Sequence, residues 1–248
     1  MGYERAREHD MGHKIHKKGK LITKQVMVLM IIAGLVILFN QFQINSLSGM
    51  VKLGPKISGS SFSGVNVLAN INIDELKSTG HTIASVFPVE DIQTADDAMA
   101  IIFPTGTPDY GEDLGVSFDD PVGSLSVTAK MYNSLKAEVQ KNNPEAWQRY
   151  LNLATKPVGI SCEFCCGLGA VGTDKNGNPM CECQHQPALM TIALYLSAYT
   201  DYNDGEILRE AMRWKTLWFP KNMIELGMTV AGGDTSALDN LPGMVGGC

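Results

Sequence analysis

Five of the chain's six cysteines and one of its five histidines fall within Ser161–Gln186, SCEFCCGLGAVGTDKNGNPMCECQHQ. Thiols this dense constrain the backbone around them, because they bind a shared metal, pair as disulfides or exchange bonds with one another. Cys162 and Cys165 enclose two residues, and fifteen residues lie between Cys165 and Cys181. Within that gap, Asp174-Lys175-Asn176-Gly177-Asn178-Pro179 contains Asn-Gly, a strong hairpin signal. The segment therefore reads as a knuckle, a hairpin and a returning strand. On such a strand Cys181, Cys183 and His185, spaced by two, project from one face, while Glu182 and Gln184 point the other way. Gly167 and Gly169 let the backbone turn tightly around the knuckle sulfurs.

This is the arrangement by which zinc ribbons build tetrahedral sites. The candidate ligands are Cys162, Cys165, Cys166, Cys181, Cys183 and His185. One closed zinc site takes four of them: Cys162, Cys165, either Cys181 or Cys183, and His185. Copper(I) and an iron–sulfur cluster are the alternative occupants of six soft donors. Cys166 stands where covalent c-type haem attachment requires a histidine. Two other chemistries compete. Cys165 and Cys166 can each pair across to Cys181 or Cys183, with Cys162–Cys248 as a third disulfide. Thiol–disulfide exchange can use Cys162 and Cys165, with Cys183 or Cys248 as the resolving thiol. The exchange reading is the weaker, because a redox Cys-x-x-Cys opens a helix whereas glycines and a hairpin follow here.

Ahead of this segment, residues 26–39, VMVLMIIAGLVILF, carry no charge, and Leu21, Ile22, Phe42 and Ile44 extend the apolar zone. A span needs about 20 residues, reached if Lys24 snorkels. The lysines precede it, which places residues 1–20 in the cytoplasm as a basic tail, 21–44 in the membrane as a signal anchor, and the remainder outside. A secretory signal cleaved near Ser46-Leu47-Ser48 and a pilin-like leader ending at Lys17-Lys18-Gly19 are the competing readings; both also export the rest. Residues 45–64 are Gly/Ser-rich and read as a tether.

Residues 65–226 are expected to form a small α+β ectodomain around the cysteine segment 161–186, with 227–248 a flexible Gly-rich tail. Val65 to Ile73 alternates apolar and polar residues, as a strand does. Helical patterns cover Asp91 to Ile102, 129–140, 144–155 and 187–199. Another begins at the capping box Asn203–Glu206 and stops at Pro220. On it Ile207, Ala211, Trp214 and Trp218 share a stripe and read as core. Asp109, Glu112, Asp113, Asp119 and Asp120 lack the order of a calcium loop and read as turn and cap residues.

The net charge of −6 is unevenly spread. Residues 1–45 hold seven Lys/Arg against three acids, which leaves the rest at −10. An acidic globule repels the phosphate backbone, so nucleic acid is excluded as the main partner. Phosphate-loop, dinucleotide-binding, nucleophile-elbow and zinc-protease motifs are absent from the sequence, and only His81 and His185 lie beyond the expected span.

CEFCCG, the Asn-Gly turn, CECQH and the later EILREAMRWKTLWFP resemble a group of membrane-anchored proteins from archaeal and candidate-phylum genomes that carry a CEYCCG…CGCxH cluster. FPTGTPDYGEDLGVSFDDP and the FNQFQI end of the anchor are similar to that group as well. The resemblance spans most of the chain and implies an anchored, cysteine-clustered protein without implying an activity. A lesser likeness is to secreted lipoproteins with a PCYCGC motif. From the residues and this resemblance together, the expectation is a non-enzymatic metal-binding ectodomain, zinc first, with a structural or soft-metal-handling role. A thiol–disulfide oxidoreductase and a pilin-like surface assembly subunit are the alternatives.

Overall fold

A computed structural model of the chain describes residues 68–233 and 244–246. They belong to the second of two compact units, Phe62–Cys248. The described residues are helical. After a 3₁₀ turn at Ile73–Glu75 come α1 (Thr79–Val86), a 3₁₀ turn at Val89–Asp91, α2 (Ala95–Ile102) and the short α3 (Gly111–Leu114). There follow α4 (Pro121–Asn142), α5 (Pro144–Ala154), α6 (His185–Tyr199), α7 (Asp204–Trp218) and α8 (Pro220–Ala231).

The α+β expectation is thereby corrected. Among the described residues there is no strand, only an isolated antiparallel bridge between Thr173 and Pro179. Two local causes account for the difference. At the start, the alternating run ends in a turn, because Asn72 Oδ1 accepts the Asp74 amide at 3.2 Å and so offers the backbone a local partner in place of a ladder. After the hairpin turn, Pro179 has no N–H to extend a ladder.

The membrane partner and the extracytoplasmic placement are corrected too. Among the described residues no helix is long and apolar enough to cross a membrane. The anchor at 21–44, the tether at 45–64 and the leader readings lie outside the described residues.

Local chemistry sets the helix ends. Asp120 caps α4 through the Gly123 amide, and Pro121 occupies its first turn, where a missing N–H costs nothing. Asn143 ends α4 and caps α5 through the Ala146 amide. Capping boxes start α2 (Thr94/Asp97) and α7 (Asn203/Glu206). Asp119 accepts the Gly106 amide at 2.8 Å, so these acids do serve turns and caps. Helix α8 continues through Ala231 and stops at Gly232, whose φ of 77° closes the helix in the left-handed region. Residues 227–231, expected to open a flexible tail, are thus the last turn of this helix.

Helix α6 is the hub. Eleven of its fifteen residues are buried, on all sides rather than along one stripe, and it packs on α4, α7 and α5. Each fully buried Leu, Ile or Met on it contributes about 1.5–3 kcal/mol. Trp214 and Trp218 of α7 are wholly buried and 5.5 Å apart. The corner where α7 meets α8, Trp218-Phe219-Pro220, faces the cysteine segment.

Candidate metal centre

The cysteines sit on the connection between α5 and α6, residues 155–184, and three contacts hold that connection in place. At its middle, Asp174 closes the Asn-Gly turn. Its side chain accepts the Asn176 and Asn178 amides, both at 2.8 Å, and its carbonyl accepts the Gly177 amide at 3.0 Å. Gly177, at φ 70°, lies flat under Trp147; a Cβ there would come within 2.2 Å of the indole. Tyr132 donates to the Gly177 carbonyl at 2.6 Å, which pins the turn to α4.

At its far end the chain turns into α6 two residues earlier than Pro187 suggested. Pro187 is the third residue of α6, where its absent N–H would have had no helical partner. His185 is therefore a helix residue rather than part of a strand, and the expected common face with Cys181 and Cys183 does not exist in that form. Convergence is reached another way. Gln186, 1 % exposed, accepts the Cys162 amide at 3.0 Å and donates to the Gly172 carbonyl. One buried amide thus ties the knuckle, the hairpin and the first turn of α6 together.

The result is a cluster. The sulfurs of Cys162, Cys166, Cys181 and Cys183 lie within 4.8 Å of one another. Cys162, Cys181 and Cys183 are buried and Cys166 is exposed. Cys162 and Cys183 approach to 3.2 Å. That contact raises the Cys162 thiol and draws the Cys183 thiol down to about 4, against its burial. The contact therefore favours the thiol form at Cys162 and the thiolate form at Cys183. Cys166 and Cys181 stand at disulfide distance, with Cα atoms 7.0 Å apart, just beyond the usual disulfide range of roughly 4.4–6.8 Å.

Cys183 also belongs to a second group. Its sulfur, that of Cys165 and a ring nitrogen of His185 lie within 4.8 Å of one another. His185 is fully buried between aromatic rings, 4.7 Å from Phe219 and 5.9 Å from Trp218. Its Nε2 faces the Val245 carbonyl at 3.0 Å, and its buried Nδ1 has no hydrogen-bond partner. Cys165, exposed, lies 3.5 Å from the Met244 sulfur. All six residues singled out in the sequence thus come together, in two groups that share Cys183, whereas the sequence reading joined Cys165 to Cys162 in one site. Cys248 lies outside the described residues.

Beside the cluster is a charged pair that sequence reasoning missed. Lys215, wholly buried on α7, lies 3.3 Å from a Glu163 oxygen and donates to Thr79 Oγ1 at 3.2 Å and the Gly159 carbonyl at 3.1 Å. Burial lowers its ammonium to about 8 against the pull of Glu163. Glu163 holds a φ of 29°, unusual for a residue with a side chain. Its carboxylate accepts the Thr79 hydroxyl at 2.9 Å. A signal for Lys215 existed, since it stands four residues after Ala211 and three before Trp218, on the same buried stripe. Gln186 carried no comparable signal, and Met244 and Val245 lie almost sixty residues away in the sequence.

Four thiols and an imidazole held in this way form a donor set able to bind a metal ion. The sequence matches no family model, and no curated protein and no solved structure is significantly similar to it.

Proposed function

We propose that the chain is a metal-binding protein in which Cys162, Cys166, Cys181 and Cys183 hold one zinc ion as a closed structural centre. The observation that carries this reading is the mutual approach of four sulfurs to within 4.8 Å. A zinc tetrathiolate with bonds near 2.3 Å has sulfur–sulfur edges of about 3.8 Å, so the close Cys162–Cys183 and Cys166–Cys181 pairs would each open and the wider edges close around the ion. A polynuclear iron–sulfur cluster needs its thiolates spread around several irons, which this tight group does not offer. Burial of three of the four sulfurs suits a centre that stays closed. Zinc binding would expel the Cys162 thiol proton, because metal ligands must be thiolates. The likeness of CEFCCG…CECQH to the archaeal and candidate-phylum cysteine group is part of the same proposal.

One observation favours a second reading. The Cys166–Cys181 approach suits a disulfide, which would leave Cys162 and Cys183 as an adjacent dithiol for thiol–disulfide exchange. Elemental analysis of the full chain, with a parallel thiol count, decides between them. Zinc at one ion per chain, with four thiols protected until chelation, is expected. A metal-free chain with a mapped Cys166–Cys181 disulfide overturns the zinc reading.

A further inference from the structure

We propose that the cluster has a second, solvent-facing metal position, built by Cys165, Cys183 and His185 with the Met244 thioether, and that this position takes copper(I). The inference rests on the zinc reading above and makes Cys183 a thiolate bridging the two ions.

Three observations support it. First, the sulfurs of Cys165 and Cys183 and a ring nitrogen of His185 already lie within 4.8 Å of one another, and neither Cys165 nor His185 belongs to the inner set of four. Second, His185 is prepared as a ligand. A metal-binding imidazole typically donates its other N–H to a backbone carbonyl or carboxylate, which fixes its tautomer and orientation. Here Nε2 lies 3.0 Å from the Val245 carbonyl and acts as the donor, which leaves the lone pair on Nδ1. Nδ1 is buried and unpartnered. An imidazole buried with one nitrogen idle is destabilising, a loss that a metal bond at that nitrogen removes. Phe219 and Trp218 flank the ring and stop it from turning away.

Third, the donors select the ion. Two thiolates, an imidazole and a thioether form a soft set, and thioethers favour copper(I) over zinc. Met244 lies 3.5 Å from Cys165 and is 42 % exposed, so the fourth donor stands at the surface. The inner ion is enclosed, whereas the outer one faces solvent through Cys165 and Met244 and can be loaded and released. Its oxidation state does not change on the way in or out; binding exchanges thiol protons for the ion.

The test uses the full chain purified with zinc under anaerobic conditions. One equivalent of copper(I), delivered from a bicinchoninate complex, is added, and native mass spectrometry counts both metals. The expected product carries one zinc and one copper. Cys165→Ser, a surface change, and Met244→Leu keep the zinc but weaken copper uptake at least tenfold, and His185→Gln does so as well. Copper entering only as zinc leaves, with no mixed species, overturns the second position and leaves the inner centre standing. Copper uptake by Cys165→Ser equal to wild type overturns it as well. A chain that neither carries nor takes up zinc removes the inner centre, and the bridged pair falls with it.

Discussion

Replacing Gln186 with leucine isolates the contact that converts a long connection into a site. The leucine nearly matches glutamine in volume, so no large cavity opens and the change is one of hydrogen bonding. Two buried backbone groups lose their partner: the Cys162 amide, now bonded at 3.0 Å, and the Gly172 carbonyl. Each stranded group costs about 1–3 kcal/mol, and extra apolar burial by leucine returns part of it. The expected net loss is about 3 kcal/mol, or roughly 6–12 °C in Tm for a domain of this size. Urea unfolding of the zinc-loaded chain measures it, with the slope checked for constancy. Zinc competition against a chromophoric chelator gives the second readout, in which support lost behind Cys162 weakens binding about 10–100-fold. Gln186→Glu retains an acceptor for the Cys162 amide but cannot donate to Gly172, so it should fall between wild type and the leucine variant in zinc affinity. If Gln186→Leu unfolds within about 0.5 kcal/mol of wild type and holds zinc equally well, the amide is not the tie that joins the two arms, and the account of the site fails at its base.

Gly177→Ala tests the hairpin tip. A left-handed φ of 70° and a Cβ driven to 2.2 Å from the Trp147 ring should cost about 3 kcal/mol by thermal unfolding, and a loss below about 1 would contradict the packing described. Lys215→Met strands the Glu163 carboxylate and should cost about 3 kcal/mol, whereas Lys215→Met/Glu163→Gln should recover most of it. A double-mutant cycle with no coupling would show that the pair is not an interacting unit. The Asp97 carboxyl is held below its ordinary value of 3.8 by the Thr94 hydroxyl first and then by the Gln93 amide. Its folded value is depressed, so its contribution is complete above that ordinary value and is lost as pH falls through the folded one. The stability advantage of wild type over Asp97→Ala should therefore shrink between pH 5 and pH 2 in calorimetry, and a constant difference would rule the linkage out.

The helices were legible because their signals are local. Asn143-Pro144, Asn203 with Glu206, and the Ile207/Ala211/Trp214/Trp218 stripe each fix a helix within a turn or two of themselves, and the buried residues of α5 and α7 follow them closely. The misreadings came where a local pattern fitted two outcomes. Alternation at 65–73 and the spacing of Cys181, Cys183 and His185 by two both satisfy a strand. A strand also needs a partner, and neither stretch has one among the described residues. In the second stretch Pro187 was treated as a helix start, although the third helical residue tolerates proline equally well. The gathering of the six ligand candidates was readable from their density. Their division into two groups was not, because it depends on Gln186 and on Met244-Val245, whose contacts bridge long sequence separations.

The connection that carries the cysteines is where the proposed zinc ion would act. Between Ala154 and His185 the chain has no helix and one isolated bridge. Ordering these residues costs backbone entropy that their contacts must offset. Ladder hydrogen bonds are scarce, and apart from Cys162, Cys181 and Cys183 the buried apolar residues of this stretch are Val158 and Ile160, near its start. The Gln186 clamp, the Asp174 turn and the Tyr132 contact together supply a few kcal/mol each. Structural zinc binding supplies on the order of 10–16 kcal/mol at a single point, and it does so only if both arms meet. The helices α4, α6 and α7 hold together through their own buried faces, so the ion is not needed for the bundle. On the proposed reading its part is to fix a long, weakly bonded connection, so metal loss should affect residues 155–184 while the bundle persists.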